Sequence, residues 1–259
     1  MSTILNQSVT DKSTLPLHGM KAMLFAAGLG TRLKPFTDTH PKALAPVNGK
    51  PLLQRNIEYL KKFGITNFII NVHHFADQIE TFLQEHDNFG VHIVLSHEEG
   101  EPLETGGGLM KASWFLADKS LPFLVMNADI LTDLNLGNIL SYHYQFKPLA
   151  TLAVTKRKSS RNFLFNDDMI LCGWINNSTG ETRMARPNEK NLQPGAFTCI
   201  HIIDPAIFPL VKQKGKFSII DTYLDLARDH EIRGFLHDED CVIDVGRPES
   251  IAEAEKYFQ

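Results

Sequence analysis

Cysteine is scarce in this sequence. Cys172, Cys199 and Cys241 stand far apart in a chain of 259 residues. Their odd number and the lack of any Cys-x-x-Cys spacing argue against a disulfide framework or a zinc site, and fit a reducing cytoplasm. Basic excess is lacking as well: 26 Lys and Arg face 30 Asp and Glu, a formal net charge of −4. That balance argues against a duplex nucleic-acid partner, which needs a basic face, while leaving room for a local phosphate pocket. No run reaches the ~18–20 apolar residues of a membrane span. The first twenty residues, "MSTILNQSVTDKSTLPLHGM", lack the basic start and apolar core of a signal peptide. Residues 1–20 are therefore expected to be a disordered or extended leader.

What is present is an α/β rhythm. The chain is 43% hydrophobic and 22% charged, ordinary for a globular protein with a sizeable core. "KAMLFAA" is a short apolar run suited to a strand buried on both faces. "LLQRNIEYLKKFG" sets Leu53, Ile57 and Leu60 at helical spacing and stops at Gly64. Strand-like "NFIINV", helix-like "ADQIETFLQEH", strand-like "VHIVLS" and "LPFLVMNAD" continue the alternation. The segment "TGGGLMKASWFLAD" starts with glycines and is expected to become a helix. Past residue 150 the chain turns polar and turn-rich, then ends in "CVIDVGRPESIAEAEKYF", read as strand, turn and helix. The expected fold is α/β: a Rossmann-like, mostly parallel mixed sheet flanked by helices, in one domain spanning residues 21–259. The change of rhythm divides that domain into an expected first half, 21–148, and second half, 149–259.

The loop "AAGLGTRL" after the first strand lies where an open α/β sheet places its ligand crevice. Gly28 and Gly30 can take positive φ and let backbone N–H groups approach an anion. Arg32 can fork onto phosphate oxygens, and Lys42 adds a point charge. The spacing is neither of two common phosphate loops. Leu33 stands where the dinucleotide fingerprint needs glycine, and no Gly-Lys-Ser/Thr follows. His40, His73 and His74 show no helical i,i+4 ligand pairing and read as ordinary histidines.

The longer stretch "LFAAGLGTRLKPFTDTHPKALAPVNGKPLL" resembles the signature of the sugar-1-phosphate nucleotidylyltransferases. The resemblance implies Mg²⁺-dependent transfer of a nucleotidyl group to a sugar 1-phosphate, with release of pyrophosphate. It implies that Ala27, Gly28, Gly30, Thr31 and Arg32 line the triphosphate, Arg32 holding the departing pyrophosphate. Lys42 would neutralise charge near the α-phosphate. "EGEPLETGGGLMKA" resembles the base-recognition segment, which would place Leu103, Thr105 and Gly106 against the base. Its Pro-Leu-Glu-Thr-Gly-Gly-Gly is similar to the N-acetylmuramate-1-phosphate uridylyltransferases of cell-wall recycling, and so favours UTP. A guanylyltransferase acting on mannose or heptose 1-phosphate is the alternative. A non-catalytic nucleotide-sugar sensor on the same fold is another.

The same resemblance makes Asn127 a nucleotide contact and Asp129 and Asp244 the two Mg²⁺ ligands. Ala128 replaces a glycine usual in the family, a change to be tolerated unless the position needs positive φ. On the acceptor side, "GAFTCIHIIDP" resembles the sugar-contacting strand, with Thr198 and Cys199 as sugar contacts, and Cys199 stands where the family has glycine. The family's Glu-Lys-Pro motif is missing. The implied catalytic residues are Arg32, Lys42 and Asp129. The implied setting is cytoplasmic, monomeric or a small homo-oligomer, with neither nucleic acid nor membrane as partner. With the second metal segment close to Gln259, an appended left-handed β-helix or acetyltransferase domain is not expected.

Overall fold

A computed structural model describes residues 17–118 and 121–259. The first strand, β1 (Lys21–Phe25), leads into 3-10 turns at Thr31–Leu33, Phe36–Asp38 and Lys42–Leu44. A small hairpin, β2 (Pro46–Val47) and β3 (Lys50–Pro51), precedes helix α1 (Leu52–Lys62). Then come β4 (Asn67–Val72), α2 (Ala76–Glu85), β5 (His92–His97), α3 (Glu104–Lys111) and a single turn, α4 (Ser113–Leu116). β6 (Phe123–Asn127) and β7 (Ile130–Thr132) flank a sharp turn, and α5 (Leu136–Phe146) follows. β8 (Ala150–Thr155), β9 (Arg161–Phe165), β10 (Leu171–Asn176), β11 (Thr182–Met184) and the long β12 (Gln193–Ile203) come next. The chain continues through α6 (Ile219–Leu226), β13 (Ile232–Leu236), β14 (Val242–Asp244) and α7 (Pro248–Tyr257).

Strands β5, β4, β1 and β6 pair in parallel, with Leu24 opposite Ile70 on one side and Met126 on the other. β12 adds antiparallel to β6, and also pairs with β8 and β9. β13 runs parallel to β8. Successive side chains of a strand point to opposite faces, and the two main cores obey this. Ala22, Leu24, Phe68, Ile70, Leu124 and Met126 pack under α1, α2 and α5. Met23, Ile69, Phe123 and Val125 pack under α3, α4 and α6. A sheet covered on both faces needs near-continuous apolar strands, which is why "KAMLF" and "FLVM" lack alternation.

A third, smaller cluster bears on the site. Leu33, Ala45, Val47 and Leu52 from the N-terminal part pack with Leu131, Ile243, Val245 and Ala254. It ties the glycine loop to β14 and α7. Among the described residues no helix is long and apolar enough to cross a membrane.

Two expectations need correction. The first sixteen residues of the expected leader lie outside the described residues, but Leu17 and Met20 are buried, and Leu17 N donates to Phe63 O at 3.2 Å. The packed body therefore starts earlier than residue 21. The three glycines of "TGGGL" do not precede a helix; they lie inside α3. Each faces a different close neighbour. An added Cβ would stand 2.4 Å from the Phe217 ring at Gly106, 2.2 Å from Gly215 O at Gly107, and 2.8 Å from Glu98 Oε1 at Gly108. Close approach, rather than turn geometry, requires glycine there.

Candidate active site

The C-terminal ends of β1 and β6 open onto a cavity of about 250 Å³. Its lining includes Ala27, Gly28, Lys42, Thr105, Asn127 and Asp129, all named from the sequence. The two loop glycines do different work. Gly30 is left-handed (φ 63), and a Cβ there would meet Thr37 Cγ2 at 2.8 Å and Lys42 Cβ at 3.0 Å. Gly28 does not use the positive φ open to it. A Cβ at Gly28 would meet nothing within 4 Å, so its contribution is open space at the cavity wall. Leu33 N donates to Gly30 O at 2.8 Å, closing the turn that carries Thr31 and Arg32.

The charged groups converge beside this loop. Lys42 Nζ donates to Asp129 Oδ2. Asp244 ends β14, opposite Ile130 of β7, and Val245 N donates to Asp129 O at 2.9 Å. The β7–β14 pair thus sets the two carboxylates side by side. Asp129 Oδ1 and Asp244 Oδ1 are both buried without a hydrogen-bond partner. Gly246, which sequence reading passed over, sits between these groups. A Cβ on it would stand 2.7 Å from Asp244 Oδ1, 2.8 Å from Arg32 Nη2 and 3.3 Å from Lys42 Nζ. Two cations and a carboxylate therefore approach one point where only a glycine leaves room. The Ala128 substitution is accounted for: it has no positive φ and is 2% exposed, its N donates to Phe25 O at 3.0 Å, and its carbonyl accepts from Asn56 Nδ2 at 2.8 Å.

The wall opposite the glycine loop holds residues that motif reading missed. Asn71 Oδ1 accepts from Ala26 N at 2.8 Å, and Asn71 Nδ2 donates to Glu98 Oε1 at 2.7 Å. Glu98 Oε2 accepts from Leu103 N at 2.8 Å. This buried bridge fixes the end of β1 against the start of α3. The signal was a polar Asn inside the apolar run "FIINV" and an acid just past a strand. Pro102, Glu104 and Thr105 line the cavity, while Leu103 and Gly106 do not. The Thr105 hydroxyl accepts from Ile219 N at 3.0 Å, bracing α3 against α6.

The acceptor-side residues divide. Thr198 is 0% exposed, and its hydroxyl donates to Ala153 O at 2.9 Å and meets His237 Nε2 at 3.1 Å. Its side chain serves the fold rather than facing the cavity. Cys199 has φ 60 and sits where the β12–β8 register shifts between Phe197 and His201. The bulge keeps a glycine-like backbone under a residue with a Cβ, a conformation costing on the order of 1 kcal/mol. Burial pushes the Cys199 thiol up to about 12, with Asp129 and Asp244 acting in the same direction. The thiol is therefore protonated at neutral pH and is no nucleophile.

The likeness to known proteins agrees with this geometry. Mannose-1-phosphate guanyltransferase beta-B of Xenopus laevis is 29% identical over 239 residues, covering 88% of this chain. The match spans 62% of that protein's length. N-acetylmuramate alpha-1-phosphate uridylyltransferase of Neisseria meningitidis is 45% identical over 116 residues, covering 45% of this chain and 49% of that protein. The structure of HddC from Yersinia pseudotuberculosis, complexed with GMP-PN, superposes with a TM-score of 0.72 at 22% identity, covering 93% of this chain and all of that one, and shares the fold. Residues 21–165, more than half the chain, match the nucleotidyl transferase model. The chain belongs to the nucleotidyl transferase family.

Proposed function

We propose that the protein transfers a nucleotidyl group from a nucleoside triphosphate to a sugar 1-phosphate. The observation that carries this reading is the convergence of Arg32, Lys42, Asp129 and Asp244 around Gly246 at the mouth of the glycine loop. A phosphate oxygen of the acceptor attacks the α-phosphorus; that P–O bond forms as the bond to the β-phosphate bridging oxygen breaks, and pyrophosphate leaves. Such a reaction needs positioning and charge neutralisation rather than a side-chain nucleophile. Ala27, Gly28, Gly30 and Thr31 cradle the triphosphate, with Asn127 and the Pro102–Thr105 wall beside the nucleoside. Arg32 receives the pyrophosphate charge, and Lys42 meets the α-phosphate. The 21–148 half holds the nucleotide and the 149–259 half the acceptor.

Asp129 and Asp244 would hold a Mg²⁺ ion. Each offers a buried, unpartnered carboxylate oxygen. Two carboxylates would leave the remaining positions for phosphate oxygens and water, as Mg²⁺ prefers. When bound, the ion supplies neutralisation of phosphate charge.

For the finer specificity we favour UTP and N-acetylmuramate 1-phosphate, supported by the 45% identity to the meningococcal uridylyltransferase. GTP with mannose 1-phosphate is the second reading, supported by the longer match to the Xenopus guanyltransferase. A cytoplasmic setting, rich in nucleotides and sparing free thiols, fits either. The test is pyrophosphate release with Mg²⁺ across UTP, GTP, CTP and dTTP, each paired with N-acetylmuramate, mannose and glucose 1-phosphates. Turnover confined to UTP and the muramate phosphate is expected. Asp129→Asn and Lys42→Ala should each lower kcat by roughly a hundredfold, the cost of about 3 kcal/mol of transition-state stabilisation. Preference for GTP would move the substrate to the second reading. Nucleotide binding with no turnover in any pair would move it to a sensor on this fold.

A further inference from the structure

A second cavity, about 830 Å³, lies beyond the end of β8. It is larger than the nucleotide cavity and shares no lining residue with it. Its rim carries the consecutive cations Lys156, Arg157 and Lys158, and no Asp or Glu lines it. Val154, Phe165 and Leu236 give it an apolar floor. In a chain of net charge −4, three adjacent cations over an acid-free hollow are a local reversal of the overall sign. Lys156 is partly offset, because its Nζ lies 3.8 Å from Asp238 Oδ2. Among the described residues no carboxylate pairs with Arg157 or Lys158, and both side chains are exposed. Such a rim suits an anionic ligand, and such a floor suits one with an apolar face.

Two observations tie this hollow to the reacting centre. Gly195 of β12 lines it, and Cys199 lies four residues along the same strand, roughly 13 Å at strand rise. The charge of Arg157 is felt at the Cys199 thiol, together with the charges of Asp129, Asp244 and Lys42. Arg157 thus lines the hollow and is also within electrostatic reach of the strand position next to the reacting centre. The distance is comparable to the length of a substituted sugar phosphate.

We propose that this cavity is the far subsite of the acceptor, where Arg157 and Lys158 select a sugar 1-phosphate bearing a second anionic group, a carboxylate on a ring substituent. The proposal rests on the nucleotidyl-transfer reading above. The 1-phosphate would lie toward Asp129 and Lys42, the carboxylate would face the cations, and the apolar floor would take the substituent's alkyl part.

The experiment compares the wild-type chain with the Arg157→Ala/Lys158→Ala double variant and with Arg157→Lys. Acceptors are N-acetylmuramate 1-phosphate and N-acetylglucosamine 1-phosphate, which differ by the acidic lactyl ether. Expected is a fall of about tenfold to a hundredfold in the ratio of kcat/KM for the acidic over the neutral acceptor, as KM for the acidic one rises. Arg157→Lys should recover part of it, and KM for the nucleotide should hold. An unchanged ratio would overturn the proposal, as would stimulation of neutral-acceptor turnover by an acidic sugar that is not consumed, since that marks an effector site. Calorimetric titration of unphosphorylated N-acetylmuramate separates this from failure of the transfer reading. Binding lost in the double variant, in a protein that turns over no acceptor, keeps the subsite and discards the transfer reading. No wild-type binding together with no acid preference discards the subsite.

Discussion

A methyl group at Gly246 would press on Asp244 Oδ1 and Arg32 Nη2 at once. Either the second carboxylate or the guanidinium must then move, and both belong to the proposed phosphate site. Gly246→Ala should lower kcat for pyrophosphate release by roughly a hundredfold, about the effect of losing one preorganised charge contact. Steady-state kinetics beside a thermal melt would check this; unchanged kcat would remove Gly246 from the centre. Individual residues were unevenly legible. Lys42 and Asp129 could be read because signature spacing carried them, and they meet as an ion pair. Gly246, Asn56 and Asn71 could not, because their value lies in what approaches them from distant parts of the sequence, 27 and 45 residues away for Asn71 and 72 for Asn56. Thr198 shows the opposite case. A polar side chain at a motif position spends its hydrogen bonds inward, on Ala153 and His237.

At the scale of elements, the strands of the parallel core were plain because continuous apolar runs of five or six residues bounded by turns have few other readings. β7, β11, β13 and α5 were not singled out. β7 and β11 are three residues each, and α5, "LGNILSYHYQF", follows a buried strand turn whose bounds no periodicity marks. Helix α3 was expected, but its glycines lie within it rather than ahead of it. Gly106 and Gly107 accommodate the loop before α6, since the N–H groups of both donate to Phe217 O and Phe217 N donates to Leu103 O at 3.1 Å. This gives a test with a sign. In an exposed helix Gly→Ala gains about 1 kcal/mol. At Gly107 the new Cβ would lie 2.2 Å from the Gly215 carbonyl oxygen, a backbone atom that cannot rotate away. Overpacking of this kind costs about 1–3 kcal/mol, so the net change should be destabilising. A melting temperature lowered by about 2–6 °C is expected by calorimetry. A rise would show that α3 and α6 are not held as described.

At the scale of the whole molecule, the central sheet is one piece, yet it buries polar groups that set its response to acid. His143 packs against Thr151, with Nδ1 2.9 Å from its hydroxyl, and His201 pairs with the Tyr223 hydroxyl. Burial penalises their charged forms, pushing His143 down to about 4 and His201 down to about 3. The unfolded chain takes up protons on these rings once the pH falls below about 6.5, while the folded chain does not. Stability from this source is complete near pH 7 and declines as the pH drops toward 4, by up to roughly 1.4 kcal/mol per pH unit for each histidine. Urea midpoints at pH 7, 6 and 5 should fall in that order; a flat series would mean that the rings are open to solvent. Nothing in the periodicity of "SYHYQF" or "TCIHII" separates such a buried histidine from a surface one, because burial here depends on how β8 and β12 pair.

The pairing of β7 with β14 carries a consequence for the order in which the protein is made. Thr132 Oγ1 donates to Cys241 O at 2.7 Å across 109 residues of sequence, and that contact belongs to the strand pair bringing the second carboxylate beside the first. During synthesis the glycine loop, Lys42 and Asp129 exist while Asp244 has yet to be added. At ordinary elongation rates the interval is roughly five to twenty seconds. Because Ile243 and Val245 pack with Leu33 of the glycine loop, a nascent chain in that interval lacks both the second acid and the packing that braces the loop, so the proposed site is complete only once β14 is in place.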